Sequence, residues 1–104
     1  MMYIIDMDIY DYTTVGRKNL IKTILIVLMK VIQKDGILAL QGIKARQLKG
    51  KIHEIKFSNY RIAYMIKDLD SVYFLHIFKK QKNKTERKDL DIAIRRARME
   101  HLNI

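Results

Sequence analysis

A chain of 104 residues of which 49% are hydrophobic can form the core of one compact domain but is too short for two. Cysteine is absent, which excludes disulfide frameworks and thiolate metal sites, and a small domain without disulfides is expected to be cytoplasmic. The longest apolar run, 20–32, is interrupted by Lys22 and Lys30, and the acidic start lacks a basic leader, so we expect neither a membrane span nor a signal peptide.

The net charge of +10 is unevenly distributed along the chain. Residues 1–43 contain five Lys/Arg and four Asp/Glu, whereas residues 44–104 contain 16 and seven. Positive charge concentrated in one part of a chain predicts a polyanionic partner, with nucleic acid as the first candidate. A solubilising surface, or one neutralised by an acidic protein, is the alternative.

The first part of the chain predicts a strand and then a helix. Segment 3–10, rich in Ile and Tyr, predicts a strand with one solvent-facing side, and Thr13 or Thr14 is a candidate N-cap. Apolar residues with helical spacing then predict a largely buried helix over 17–34, which Asp35 and Gly36 end. Segment 37–47 is compatible with a short second helix or an ordered loop.

Three strand-like segments, 52–57, 60–67 and 72–79, follow with short turns between them and predict an antiparallel meander. In the first, Ile55 and Phe57 share one face, and Glu54 and Lys56 share the other. The third segment is apolar on both faces, as in a central strand.

A last helix is predicted to be capped by Thr85 and to end near His101. Its inner stripe would comprise Leu90, Ala93, Ile94, Ala97 and His101. The predicted order is β-α-(α)-β-β-β-α, an α+β fold in a single domain spanning 1–104.

The candidate functional residues are cations around the predicted sheet. Glycine-rich phosphate loops, HExxH and CxxC are absent from the sequence, and the three histidines lack metal-ligand spacing, so we expect no metal and no cofactor. RNA cleavage by a neighbouring 2′-hydroxyl needs a base, an acid and positive charge for the phosphorane, and Lys, Arg, His and Tyr can supply these. The cations are Arg46, Lys49, Lys51, Lys56, Arg61, Lys79, Lys80, Lys82 and Lys84.

Each candidate also has a structural interpretation. Arg61 interrupts an apolar strand, which is more often a charge on a solvent-facing edge than a catalytic group. His76, in the middle of an apolar strand, is more often a hydrogen-bonded core residue, and His53 is expected to be exposed. Segment 79–88, with six Lys/Arg in ten residues, is more often a solvated loop and helix start, although nearby tyrosines offer stacking surfaces.

Four short motifs occur in order within residues 48–85: Leu48-Lys49-Gly50-x-Ile52-His53-Glu54-Ile55-Lys56, Tyr60-Arg61-Ile62, Leu75-His76-x-Phe78-x-Lys80 and Lys84-Thr85, with Ala93 beyond them. In this order and spacing they resemble the HigB-like, phage-protein-related branch of the RelE/ParE toxin superfamily. The chain departs from that pattern at Gln81, where a second lysine is usual, and at Glu86, where a proline is usual.

The resemblance implies a RelE-like fold, a curved antiparallel β-sheet with helices packed on one side. It implies the toxin of a type II toxin–antitoxin system, a metal-independent, ribosome-dependent mRNA endoribonuclease that inhibits translation. Its partners would be the ribosome, mRNA and a helix-turn-helix, HigA-like antitoxin. The catalytic set it implies is Arg61, Lys56, His76 and Lys80; the set contacting RNA or ribosome is Lys49, Lys51, His53, Lys79, Lys82, Lys84 and Arg87.

Two other functions are compatible with the sequence. ParE-like members of the superfamily act on DNA gyrase through protein contacts and need no general acid or base. A degenerate basic module that only meets an acidic antitoxin would use the positive charge alone.

Overall fold

The computed structural model describes residues 2–4, 15–42, 45–57, 59–79 and 85–104. The strands are β1 (Met2–Ile4), β2 (Ala45–Lys49), β3 (Ile52–Phe57), β4 (Tyr60–Asp68) and β5 (Ser71–Lys79). The helices are α1 (Val15–Asp35), a 3₁₀ helix (Ile37–Gly42) and α2 (Arg87–Met99). The strands form one open sheet in the order β1-β5-β4-β3-β2.

The predicted α+β class and RelE-like open sheet are confirmed. The meander of β3, β4 and β5 is antiparallel as predicted, and β1 adds to β5 as a parallel edge strand. Of the first predicted strand, residues 5–10 lie outside the described residues, as do the cap candidates Thr13 and Thr14.

Segment 37–47 contains the 3₁₀ helix and the first three residues of β2, a strand that the sequence did not predict. The residues of β2, ARQLK, have low strand propensity and no apolar alternation. They form a strand because β3 supplies hydrogen-bonding partners along an otherwise open edge.

The sheet contributes to two apolar clusters, one with each helix. Ile62, Tyr64 and Phe74 belong to the cluster that contains residues of α1, whereas Ala63 and Met65 belong to the cluster that contains residues of α2. Successive strand residues point to opposite sides of a sheet. The residues packed with α1 and those packed with α2 therefore point to different faces of the strands, which we call the α1 face and the α2 face.

A β-bulge in β5 changes which side chains reach the α2 face. Tyr64 is opposite Phe74 and Ala63 is opposite His76, so Leu75 is the extra residue between them. Strict alternation would put His76 on the same face as Phe74. The bulge instead turns both Leu75 and His76 toward α2.

The ends of α2 differ from the prediction. The N-cap is Glu86, which makes no side-chain capping hydrogen bond, and the hydroxyl of Thr85, the predicted cap, is bonded to Glu54 instead. His101 is exposed rather than part of the inner stripe, and Leu102 is buried in its place. This occurs because His101 has a left-handed φ of 58° and reverses the chain after the helix.

None of the helices in the described ranges is long and apolar enough to cross a bilayer.

Candidate functional site

A row of side chains crosses four strands on the α2 face. Arg46 of β2 is opposite Glu54 of β3, Glu54 is opposite Ala63 of β4, and Ala63 is opposite His76 of β5. Directly opposed residues in an antiparallel pair share a face, so the polar members of this row lie on the side of the sheet that α2 covers.

Glu54 is a buried carboxylate at the centre of a small polar cluster. Only 4% of the residue is exposed. The Thr85 hydroxyl donates to Oε2 at 2.5 Å, and Nη2 of Arg46 lies 3.2 Å from Oε1. A buried carboxylate is tolerated when a cation and hydrogen-bond donors satisfy it, and both are present here. The cluster attaches the segment just before α2 to β3.

His76 is the centre of a second buried cluster. Its Nε2 is 2.8 Å from Oδ1 of Asp89, and its Nδ1 is 3.3 Å from Nη1 of Arg96. The same Arg96 atom donates to the carbonyl of Leu75 at 2.8 Å. A guanidinium has only donors, so Nδ1 accepts from Arg96, and the ring proton is on Nε2 and is donated to Asp89. Both ring nitrogens are therefore engaged in holding α2 to β5.

Arg61 and Lys56 occupy directly opposite positions on the α2 face, one on β4 and one on β3. Arg61 is only 5% exposed, contrary to the solvent-facing edge that the sequence favoured, whereas Lys56 is exposed. Nη1 of Arg61 donates to the carbonyl of Tyr60 at 2.9 Å, and Phe78 lies opposite Arg61 on β5. Like charges at opposed positions repel, and an anion placed between them would relieve that repulsion.

The other sequence-predicted residues are dispersed. His53 is opposite Tyr64 and faces the α1 side, half-buried, with Nδ1 3.1 Å from the carbonyl of Lys51. Lys79 is opposite Tyr60, on that same side. Lys49, Lys51 and Arg87 are exposed at the β2–β3 turn and on α2, whereas Lys80, Lys82 and Lys84 lie outside the described residues.

Sequence reasoning missed Glu54, Asp89 and Arg96 as partners of the candidate residues. A signal was available for Glu54, because it shares its face with the apolar Ile52, which indicates a covered face. Asp89 and Arg96 could not be paired with His76 from the sequence, since their contact depends on the bulge in β5.

The hydroxyl oxygen of Tyr64 is buried and has no hydrogen-bond partner in the part of the chain that the structure describes. The residue is fully buried on the α1 face, between His53 and Phe74. Burial disfavours the phenolate and raises the pKa of Tyr64 to about 12. The hydroxyl is therefore neutral and contributes no charge to a site at physiological pH.

Among the described residues, no three His, Asp or Glu side chains are grouped closely enough to hold an ion. The arrangement instead offers cations for a phosphate, namely Lys56 and Arg61, beside two internally satisfied clusters.

Residues 19–98 match the family model described as phage derived protein Gp49-like (DUF891). The match covers well over half of the chain and extends from within α1 through the sheet to Arg98 of α2. The chain belongs to the Gp49-like family. This is a RelE-like, toxin-related family of toxin–antitoxin systems. The Gp49-like match includes both polar clusters and the Lys56–Arg61 pair. A comparison with curated proteins finds no match to this chain.

Proposed function

We propose that this Gp49-like protein is a HigB-like toxin of a type II toxin–antitoxin system, formed by residues 1–104 as a single domain. It acts in the cytoplasm as a metal-independent, ribosome-dependent mRNA endoribonuclease and inhibits translation. A helix-turn-helix, HigA-like antitoxin neutralises it. The family match and the sequence motifs support the toxin assignment.

The observation that carries the endoribonuclease assignment is the opposition of Lys56 and Arg61 on one face of the sheet. A phosphodiester bound there meets the exposed ammonium of Lys56 beside the buried guanidinium of Arg61, whose Nη1 donates to the carbonyl of Tyr60. As the 2′-hydroxyl attacks, negative charge grows on the phosphorane oxygens. Fixed positive charge then stabilises the transition state more than the bound RNA.

Proton transfer needs a separate group. His76, a member of the implied catalytic set, has Asp89 on Nε2 and Arg96 at Nδ1. His76 can transfer a proton only if bound RNA displaces one of these partners, for example if a phosphate draws Arg96 away from Nδ1. His53 lies on the other face of the sheet, away from Lys56 and Arg61. The roles of both histidines, and of Lys80, stay predictions.

Primer extension on a translated reporter mRNA tests the proposal in cells that express the wild type or a variant. Lys56→Gln is the informative change because Lys56 is exposed, so its loss should leave the fold intact. Lys67→Gln, at an exposed lysine near the far end of β4, is the matched control. We expect cuts within codons for the wild type and Lys67→Gln, and at least a tenfold loss, about 1.4 kcal/mol or more, for Lys56→Gln. Equal cutting by all three proteins would exclude the proposed site.

A ParE-like toxin that binds DNA gyrase is the second candidate. The burial of Arg61 and the internal hydrogen bonds of His76 favour it, because a protein-binding toxin needs no accessible acid or base. Growth arrest with intact mRNA and induced DNA damage would identify that function. Absence of arrest would indicate a degenerate basic module.

A further inference from the structure

The outward side of α2 carries a ridge of positive charge. Arg87, Lys88, Arg95 and Arg98 are exposed, and helical geometry places them on the side opposite the buried Ala93 and Ala97. We call these four residues the α2 ridge. Two of the four have carboxylate partners: Arg87 is paired with Asp91 at 2.9 Å, and Lys88 with Glu86 at 3.7 Å.

A shallow groove of about 450 Å³ lies along this ridge and is lined by Asp91, Ile94, Arg95, Arg98 and Met99. Arg95 and Arg98 are one helical turn apart, so their guanidinium groups can reach the same ligand. Met99 is 68% exposed, while the neighbouring Ile94 is nearly buried. The groove thus combines two donors for an anion with an apolar, polarisable surface.

We propose that this groove binds a nucleotide of single-stranded RNA, with Arg95 and Arg98 on phosphate and Met99 against the base. Guanidinium groups bind phosphate with paired hydrogen bonds. A thioether makes favourable contacts with an aromatic ring. This proposal rests on the proposed RNA substrate and adds a contact on the outer side of α2, separate from Lys56 and Arg61 on the sheet.

The composition of the ridge distinguishes RNA from a protein partner. A helical peptide that docks on a helix needs apolar side chains repeated at i, i+3, i+4 and i+7. On α2 within the described residues, Met99 is the exposed large apolar residue, and it lies at the end of the helix. The net charge of +10 also disfavours a second copy of this chain. Phosphates along a flexible strand need only spaced cations, which the α2 ridge provides.

Fluorescence anisotropy with a short fluorescein-labelled 2′-O-methyl RNA tests the groove without any cleavage, because the methyl group removes the nucleophile. The test variant is Arg95→Gln/Arg98→Gln, and the control is Lys30→Gln/Lys34→Gln, which removes the same charge from exposed positions of α1. We expect the arginine pair to weaken binding by about tenfold or more and to make the slope of log K against log salt shallower by about 1.4. The lysine pair should change both quantities much less.

Met99→Ser tests the base contact, with Leu69→Ser, another exposed apolar residue, as control. Met99→Ser should weaken RNA binding by about two- to tenfold and leave binding of an abasic strand unchanged. Equal losses for the arginine and lysine pairs would overturn the groove and indicate diffuse charge. If Arg95→Gln/Arg98→Gln kept RNA binding but lost binding of polyglutamate, the RNA proposal would be overturned and the groove would be a site for an acidic protein. If the groove variants behave as expected but the wild type cuts no translated mRNA, the endoribonuclease proposal fails and the groove stands.

Discussion

Thr85 donates its hydroxyl proton to the buried carboxylate of Glu54 across 2.5 Å, although the two residues are 31 positions apart in the chain. This bond attaches Thr85, the residue before the N-cap of α2, to the middle of β3. Together with the contacts of His76 to Asp89 and Arg96, it holds α2 on the sheet by polar interactions as well as by apolar packing.

Thr85→Val is expected to lower the free energy of unfolding by about 1–3 kcal/mol, because Glu54 loses a donor and stays buried. Thr85→Ser keeps the hydroxyl and should be close to the wild type. Urea unfolding followed by circular dichroism measures both. If Thr85→Val and Thr85→Ser were equally stable, the Thr85 hydroxyl would have no structural role.

Asp89→Ala should destabilise the protein by about 1–3 kcal/mol, since the Nε2 proton of His76 is left buried without its acceptor. Asp91→Ala, two residues along the same helix, removes an exposed ion pair with Arg87 and should change stability by about 0.5 kcal/mol or less. Thermal unfolding of the two variants gives the comparison. Equal effects would contradict the burial of the His76 cluster.

Tyr64→Phe should be neutral or stabilising near pH 7, because it removes a buried hydroxyl that has no partner among the described groups. It should also change the alkaline limit of stability. The pKa of Tyr64 rises from 10.0 to about 12 on folding, so the folded state holds the proton more tightly. Stability is therefore complete below pH 10 and falls as the pH rises toward 12.

Tyr64→Phe should lack this loss of stability at alkaline pH, and urea unfolding at a series of alkaline pH values measures it. Tyr3→Phe, which changes a partly exposed tyrosine, is the control. A Tyr64→Phe protein that lost stability with pH exactly as the wild type does would disprove the assignment.

His101→Gly is expected to stabilise the protein by about 0.5–1 kcal/mol, because a side chain with a Cβ is strained at a φ of 58° and glycine is not. The turn is otherwise complete, with Leu102 N–H donating to the carbonyl of Ala97 at 3.0 Å. His101→Ala keeps the Cβ and serves as the control in thermal unfolding. A Gly variant no more stable than the Ala variant would argue against strain at this position.

The sequence by itself determined the main elements. Apolar residues at helical spacing predicted α1, alternation and short turns predicted β3, β4 and β5, and the motifs around Arg61 and His76 predicted a RelE-like fold. These features depend on residues close in the chain, so a local pattern contains them. The opposition of Lys56 and Arg61 across the β3–β4 turn is also local in this sense.

The tertiary structure alone decided which residues meet across the fold. The strand β2 exists because β3 offers it an edge, not because of its own propensity. The bulge at Leu75 moves His76 from the α1 face to the α2 face, where Asp89 and Arg96 engage it. Glu54, which the sequence placed only on the same strand face as Lys56, is satisfied as a buried carboxylate because Arg46 and Thr85 converge on it from distant positions. Such contacts depend on register and packing, which no local pattern of residues specifies.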